Sequence, residues 1–306
     1  YPGVVRKADT PLSDELRDAH DRPVGTPPDH VLKVIGKLLW VARCCRPDIS
    51  FAVSRLSSLA ARWGDDCETQ LRRVVGYLSK TSETGLWYTY NGGTLVTRIY
   101  SDASWAAPRS QTGLTLVEES DDGASRAMLD WGSVKQPITA DSSGASELIA
   151  AHTAVRSLIA QSGAFGGERT EPVQILTDNS TVIRVSVKGS SQALAWLQVK
   201  PIAVRVGLLR DFVNLGIVTV LHVRTDRQKS DGFTKALDRV KLAQWCRLVG
   251  LGVTCDELDT TPPLQSQLQP PAPKVAIAKH VDVDELAKVA AALERLLASG
   301  GSGSVR

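Results

Sequence analysis

Methionine is almost missing from this 306-residue chain: Met128 is the only one, and the first residue is Tyr1. A fragment or processed piece of a longer protein is the expectation. Long hydrophobic runs are missing too. No apolar stretch approaches the roughly 20 residues of a membrane-spanning helix, and no charged-then-apolar leader opens the chain, so neither a span nor a secretory signal is expected. Cysteine is sparse and unpatterned. Cys44, Cys45, Cys67, Cys246 and Cys255 form no Cys-x-x-Cys pair and the five histidines add no ligand spacing, which argues against a zinc site. An odd count with two adjacent thiols suits a reducing compartment better than a disulfide framework.

Net charge is small as well, +3, but it is unevenly spread. Between Asn179 and Lys241 stand eleven Lys/Arg and four Asp; between Val31 and Tyr90, nine basic residues face five acidic ones. Basic surface of this kind suits a polyanionic partner, though a solvated face reads the same way. The 42% hydrophobic and 23% charged fractions are those of a soluble chain able to bury a core, long enough for two ordinary domains or one large one.

Residues 1–30, with five prolines and no apolar period, read as an extended or disordered lead-in. A helical module is expected over 31–90. Leu32, Ile35, Leu38, Leu39 and Ala42 give one helical stripe, Asp48 would cap a second helix over Ile49–Ala61, and a third runs over about Glu68–Thr81. The Asp65-Asp66 pair is taken as a helix start, since no hydrophobic hairpin flanks it. From Leu86 to Tyr90 a strand is expected, folding back through Asn91-Gly92-Gly93 onto Val96–Tyr100. Gly113–Glu119 and Arg126–Trp131 read as two further antiparallel strands, joined through Asp121-Asp122-Gly123. The strongest helix is Ser143–Gln161, ending in glycines 163–167. There follow a strand Val173–Asp178, a short helix Ser180–Val187, a long helix Lys200–Leu215, a strand Ile217–Val223, and a last helix begun or preceded by Asp231. Residues 260–274 form a Pro/Gln-rich linker, and 275–306 hold an amphipathic helix over Val283–Ala298 and a Gly/Ser tail.

Four acidic residues fall on this scaffold in the order Asp102, Glu147, Asp178, Asp231. A helical crossover makes its two flanking strands parallel, so the Asp102 and Asp178 strands should be neighbours with both carboxylates at one sheet edge. Glu147, near the start of the packed helix, points to that edge, and Asp231 arrives from the last helix; Asp226 lies close enough to replace it. Carboxylates so gathered raise one another's pKa and call for hard divalent cations, magnesium or manganese. Two ions roughly 4 Å apart suit in-line phosphodiester hydrolysis. Singly, each acid is more often a cap or turn residue; the case rests on their joint order.

The same stretches carry a family resemblance. Arg46-Pro47-Asp48-Ile49, Arg73-Val74-Val75-Gly76-Tyr77-Leu78 with Thr81, Gly85-Leu86-Trp87-Tyr88, Tyr100-Ser101-Asp102-Ala103-Ser104-Trp105-Ala106, Ser110-x-Thr112-Gly113, Trp131-x-Ser133-x-Lys135-Gln136, Ser142-Ser143…Glu147, Asp178-Asn179, Lys200-x-Ile202 and Asp231-x-x-Thr234-Lys235 together resemble the reverse transcriptase–ribonuclease H portion of copia-type LTR retrotransposon Pol polyproteins. The resemblance implies an α/β, ribonuclease H-like mixed five-stranded sheet flanked by helices over 91–250, preceded by a small all-helical module like the end of a reverse transcriptase. It implies that Asp102, Glu147, Asp178 and Asp231 hold two Mg²⁺ or Mn²⁺ ions and cut the RNA strand of an RNA–DNA hybrid. Ser104, Trp105, Ser143, Asn179, Lys200, Arg205 and Lys235 are the residues expected against nucleic acid. The implied partners are the hybrid, the rest of the Pol polyprotein and a protein docked on the C-terminal helix, in a cytoplasmic virus-like particle or the nucleus, with no membrane. No polymerase palm is present. Pro201, Ala203, Ser230 and Gly144-Ala145-Ser146 depart from the family pattern, and the alternative is a decayed element that only binds nucleic acid or protein. An integrase-like transferase is set aside, because the glutamate comes second in order and a zinc module is lacking.

Overall fold

The computed structural model describes residues 5–13, 25–106, 108–161, 171–189 and 200–259. The expected linker 260–274, the amphipathic repeat 283–298 and glycines 163–167 lie outside them.

Three helices come first, α1 (Asp29–Cys44), α2 (Ser50–Ser58) and α3 (Asp65–Lys80). The buried stripe of α1 is Val31, Ile35, Leu38 and Ala42. Leu32 and Leu39, expected within it, sit one position off this i, i+4, i+7, i+11 register and face outward. Asp48 does not cap α2. It is buried, accepts from Arg46 Nε at 3.0 Å and Nη2 at 2.7 Å, and takes the Tyr77 hydroxyl at 2.6 Å. Arg46 also donates to the Thr81 carbonyl at 2.9 Å. One hydrogen-bonded charge pair thus ties α3 to the corner between α1 and α2, with its lone pairs and donors used, the condition for burying it. Asp65, Asp66 and Glu68 occupy the first turn of α3, where the helix dipole favours them.

The sheet follows. β1 is a two-residue piece (Gly85–Leu86); β2 (Leu95–Ser104), β3 (Gln111–Ser120) and β4 (Arg126–Lys135) form an antiparallel meander. Helix α4 (Ser143–Gln161) crosses over to β5 (Val173–Thr177), parallel to β2. Then come α5 (Ser180–Lys188), α6 (Lys200–Asn214), β6 (Val218–His222) parallel to β5, α7 (Arg239–Val249) and the short β7 (Leu251–Gly252). The order across the sheet is β4-β3-β2-β5-β6, a mixed five-stranded sheet with β2 and β5 as parallel neighbours, as expected.

Two local expectations are corrected. The chain does not fold back at Asn91-Gly92-Gly93; β1 pairs with β7, and Thr89 bridges to Arg126. Both glycines have positive φ, as a turn needs, but the Ser125 hydroxyl accepts from the Asn91 N–H and donates to the Gly92 carbonyl, so the turn docks on the β3–β4 connection. The last helix starts at Arg239, where the Asp238 carboxylate accepts from the N–H groups of Val240 and Lys241. Asp231 belongs to a single 3₁₀ turn before it, Asp231–Phe233.

Both faces of the sheet are covered. Ile99, Leu116, Ile175 and Val220 pack under α4, α5 and α6. Tyr100, Val117, Trp131 and Leu176 share one apolar cluster with α1, α2, α3 and α7. Residues 8–12 lie on this second assembly, with Leu12 buried. Strands covered on both sides bury charge as well: Arg98, Glu119 and Lys229 are almost inaccessible. Glu119 binds Lys229, accepts from the Tyr100 hydroxyl at 2.7 Å, and lies 3.7 Å from Arg98. Two cations and a phenol hold its carboxyl below the usual range against the opposing effect of burial.

Candidate metal centre

The parallel pairing of β2 with β5 sets Tyr100 beside Leu176, and two residues further along the same register Asp102 comes abreast of Asp178. Asp102 lies within the strand, opposite Gly113 of β3. Glu147 is the fifth residue of α4, whose first turn is opened by Ser142 accepting from the Ala145 N–H. One oxygen from each of Asp102, Glu147 and Asp178 lies within 4.8 Å of the others, and no second such group occurs among the described residues.

Asp231 stands beside this trio, close enough for its charge to raise Asp102, but outside the 4.8 Å set. Its Oδ1 accepts from Lys235 Nζ at 2.7 Å. The loop is brought there by hydrogen bonds onto the sheet. Gln228 donates to the Ser101 carbonyl at 3.0 Å, Ser230 to the Tyr100 carbonyl at 2.8 Å, and Ser133 to the Phe233 carbonyl at 2.6 Å. Gly113 makes the approach possible: a Cβ there would meet the Ser230 carbonyl oxygen at 2.5 Å. Asp226 is exposed and held by Arg224 at 2.9 and 3.1 Å.

Electrostatics follow from this crowding. Burial, then the charges of Asp102 and Asp178, push the Glu147 carboxyl up to about 9. Burial raises Asp102 to about 6, helped by Asp231 and Asp178 and opposed by a 2.6 Å hydrogen bond from the Thr234 hydroxyl and by Lys235. Asp178 accepts from the Thr225 hydroxyl at 3.0 Å. Glu147 Oε2 is buried with no hydrogen-bond partner. A buried orphan oxygen among carboxylates that raise one another's proton affinity is a donor set suited to a hard divalent cation with all-oxygen ligation.

Of the residues expected against nucleic acid, five flank the carboxylates in sequence: Ser104, Trp105, Ser143, Asn179 and Lys235. Trp105 is exposed, its indole N–H donating to the Ala140 carbonyl at 2.9 Å. Asn179 spends its side-chain oxygen on capping α5, accepting from the N–H groups of Thr181 and Val182. Lys200 and Arg205 lie apart on α6. Sequence reading gave no role to Thr225 or Thr234; the only available signal for Thr234 was its place in Asp231-x-x-Thr234-Lys235.

Comparison with known proteins gives relatives over about 70% of the chain. The retrovirus-related Pol polyprotein from transposon RE2 of Arabidopsis thaliana is 29% identical over 228 residues, 71% of this chain and 15% of that protein. The secreted RxLR effector protein 161 of Plasmopara viticola is 32% identical over 135 residues, 42% of this chain and 88% of that protein. Among solved structures, the RNase H1 of Halobacterium salinarum NRC-1 aligns with 46% of this chain and 93% of its own at 15% identity, with a TM-score of 0.32. No protein-family profile matches the chain. The chain spans only about 15% of the length of the transposon polyproteins it matches.

Proposed function

We propose that this chain, which is similar to the Pol polyproteins of copia-type retrotransposons, is a ribonuclease H-type nuclease that cuts the RNA strand of RNA–DNA hybrids. The observation that carries the reading is the convergence of Asp102, Glu147 and Asp178, drawn from two parallel strands and the crossover helix between them. Asp231, whose Oδ1 now accepts from Lys235, would be the fourth carboxylate to hold the ions. Divalent ions bound there supply an activated water and a counter-charge for the leaving oxygen of an in-line displacement, leaving a 3′-hydroxyl and a 5′-phosphate.

The chain's own groups do the positioning. Thr234 fixes one oxygen of Asp102, and Thr225 fixes one of Asp178. Glu147 keeps its buried Oε2 as a ligand. Trp105, Ser104, Ser143 and Asn179 form the rim against which the hybrid lies, with Lys235 and the α6 residues Lys200 and Arg205 meeting phosphates. The hybrid and the remainder of the Pol polyprotein are the partners.

Purified protein, Mg²⁺ and an RNA–DNA duplex labelled on the RNA strand test this. Cleavage restricted to the hybrid is expected, and Asp102→Asn should abolish it while the far-UV circular dichroism stays unchanged. Degradation of single-stranded RNA in place of the hybrid sinks the reading. Salt-dependent hybrid binding without turnover would favour the decayed alternative.

A further inference from the structure

Residues 5–13 run along α3 without helix or strand of their own, and α3 is fitted to receive them. Gln70 Nε2 donates to the Ser13 hydroxyl at 2.6 Å, and its Oε1 accepts from the Ser13 N–H at 3.1 Å. One turn on, Arg73 donates to the Thr10 carbonyl at 3.0 Å and to the Thr10 hydroxyl at 2.7 Å. Lys80 pairs with Asp9. Gly76 lets the backbone pass: a Cβ there would overlap the Arg6 carbonyl oxygen. Glycine inside a helix is less stable than alanine, and here the close approach leaves no room for a side chain.

The same nine residues meet the segment that completes the carboxylate centre. Leu12 is buried in one apolar cluster with Phe233, Leu242 and Trp245. Pro11 and Leu12 share the lining of a small cavity with Gly232, Lys235 and Leu237. Asp9 reaches Arg239, the first residue of α7, at 3.8 Å. Residues 9–12 thus lie between α3 and the turn that presents Asp231 and Thr234. Ser133 and Ser230 tie that turn to the sheet, and the N-terminal segment gives it a second support. We propose that residues 9–13 are a positioning brace: seated in the cleft on α3, they hold the Asp231–Lys235 turn so that the Thr234 hydroxyl stays on Asp102. The cleft is then a site for an extended peptide of the Asp-Thr-Pro-Leu-Ser kind, filled here by the chain's own segment. The effect on cleavage rests on the nuclease reading; the tie between brace and turn does not.

The test uses the full chain carrying Gly76→Ala or Leu12→Asp. Hydrogen exchange is followed at the Phe233 and Thr234 amides, which bond to the Ser230 and Asp231 carbonyls. Helix propensity alone would make Gly76→Ala the more stable protein. With the brace lifted, both turn amides should instead exchange about tenfold faster or more, while those of β2 and β5 keep their rates. In the hybrid cleavage assay kcat should fall about tenfold or more with KM kept, since the brace acts on the turn and not on the hybrid. A synthetic peptide of residues 5–13, added in trans, should restore slow exchange and kcat to Leu12→Asp, whose cleft is intact, and not to Gly76→Ala. Turn amides that keep wild-type exchange in both variants, or that the peptide fails to slow in Leu12→Asp, overturn the brace. Faster turn exchange with kcat undiminished overturns its positioning role. Wild-type protein that cuts no hybrid, while the turn amides respond and are rescued, refutes the nuclease reading and leaves the brace standing.

Discussion

Glu147→Gln keeps the shape of a buried carboxyl and removes its proton equilibrium. In the folded chain this group titrates near 9 against an ordinary 4.5, so between those values the folded state keeps a proton that the unfolded chain has released. Stability therefore falls as pH rises through that window, by about 1.36 kcal/mol per unit. Asp102, raised to about 6, contributes with the same sign but only up to that pH. From pH 6 to 9 the loss belongs chiefly to Glu147 and amounts to about 4 kcal/mol, a fall in Tm of roughly 8–16 °C for a protein of this size. A divalent cation can take the proton's place. Magnesium at about 100 times its Kd would restore about 2.7 kcal/mol. Scanning calorimetry at pH 6, 7.5 and 9, in EDTA and in Mg²⁺, measures both effects. The wild type should lose stability with pH in EDTA and regain it in Mg²⁺; Glu147→Gln should be nearly flat and gain little. Parallel pH slopes for the two proteins refute the burial argument, and equal Mg²⁺ gains refute the metal centre.

Other expectations follow from the same geometry. Glu119→Ala leaves Lys229 and Arg98 buried without their shared counter-charge and should cost about 3–5 kcal/mol in urea unfolding; under about 1 kcal/mol contradicts the ion cluster. Gly113→Ala forces the Ser230–Thr234 loop off β3 and takes the Thr234 hydroxyl from Asp102, so cleavage should drop about 10²-fold with the fold retained by circular dichroism. Lys235→Met removes a charge that lowers Asp102, so the acid limb of the pH–rate profile should move to higher pH; no movement would mean that Lys235 does not face the centre.

The sheet was legible because its order follows from sequence signals that local chemistry does not override. Three strands, a strong helix and another strand leave few arrangements once the crossover must be helical. Asp102, Glu147 and Asp178 were legible for the same reason, each being placed by its element. Asp231 was harder. Its neighbours Gly232, Phe233 and Thr234 pass for a helix start, and only the Asp238 cap, seven residues on, shows where the helix begins. The glycine pair at 92–93 signalled a real turn but could not say which partner the turn would meet. Asp48 had the look of a cap residue; that it is buried against Arg46 and Tyr77 depends on contacts 29 residues away. The ion cluster around Glu119 could not be read from the sequence, since a strand alternating Arg98 with Ile99 suggests a wet face, and here both faces are dry.

The apolar cluster that joins Val31, Ile35 and Leu56 to Tyr100, Trp131 and Phe233 bears on where the chain can be cut. Scission near residue 90, where the texture of the chain changes, would tear that interior in half and free two sticky pieces. The strap between Gly85–Leu86 and Leu251–Gly252 would part with it. The helices and the sheet therefore stand or fall as a single unit.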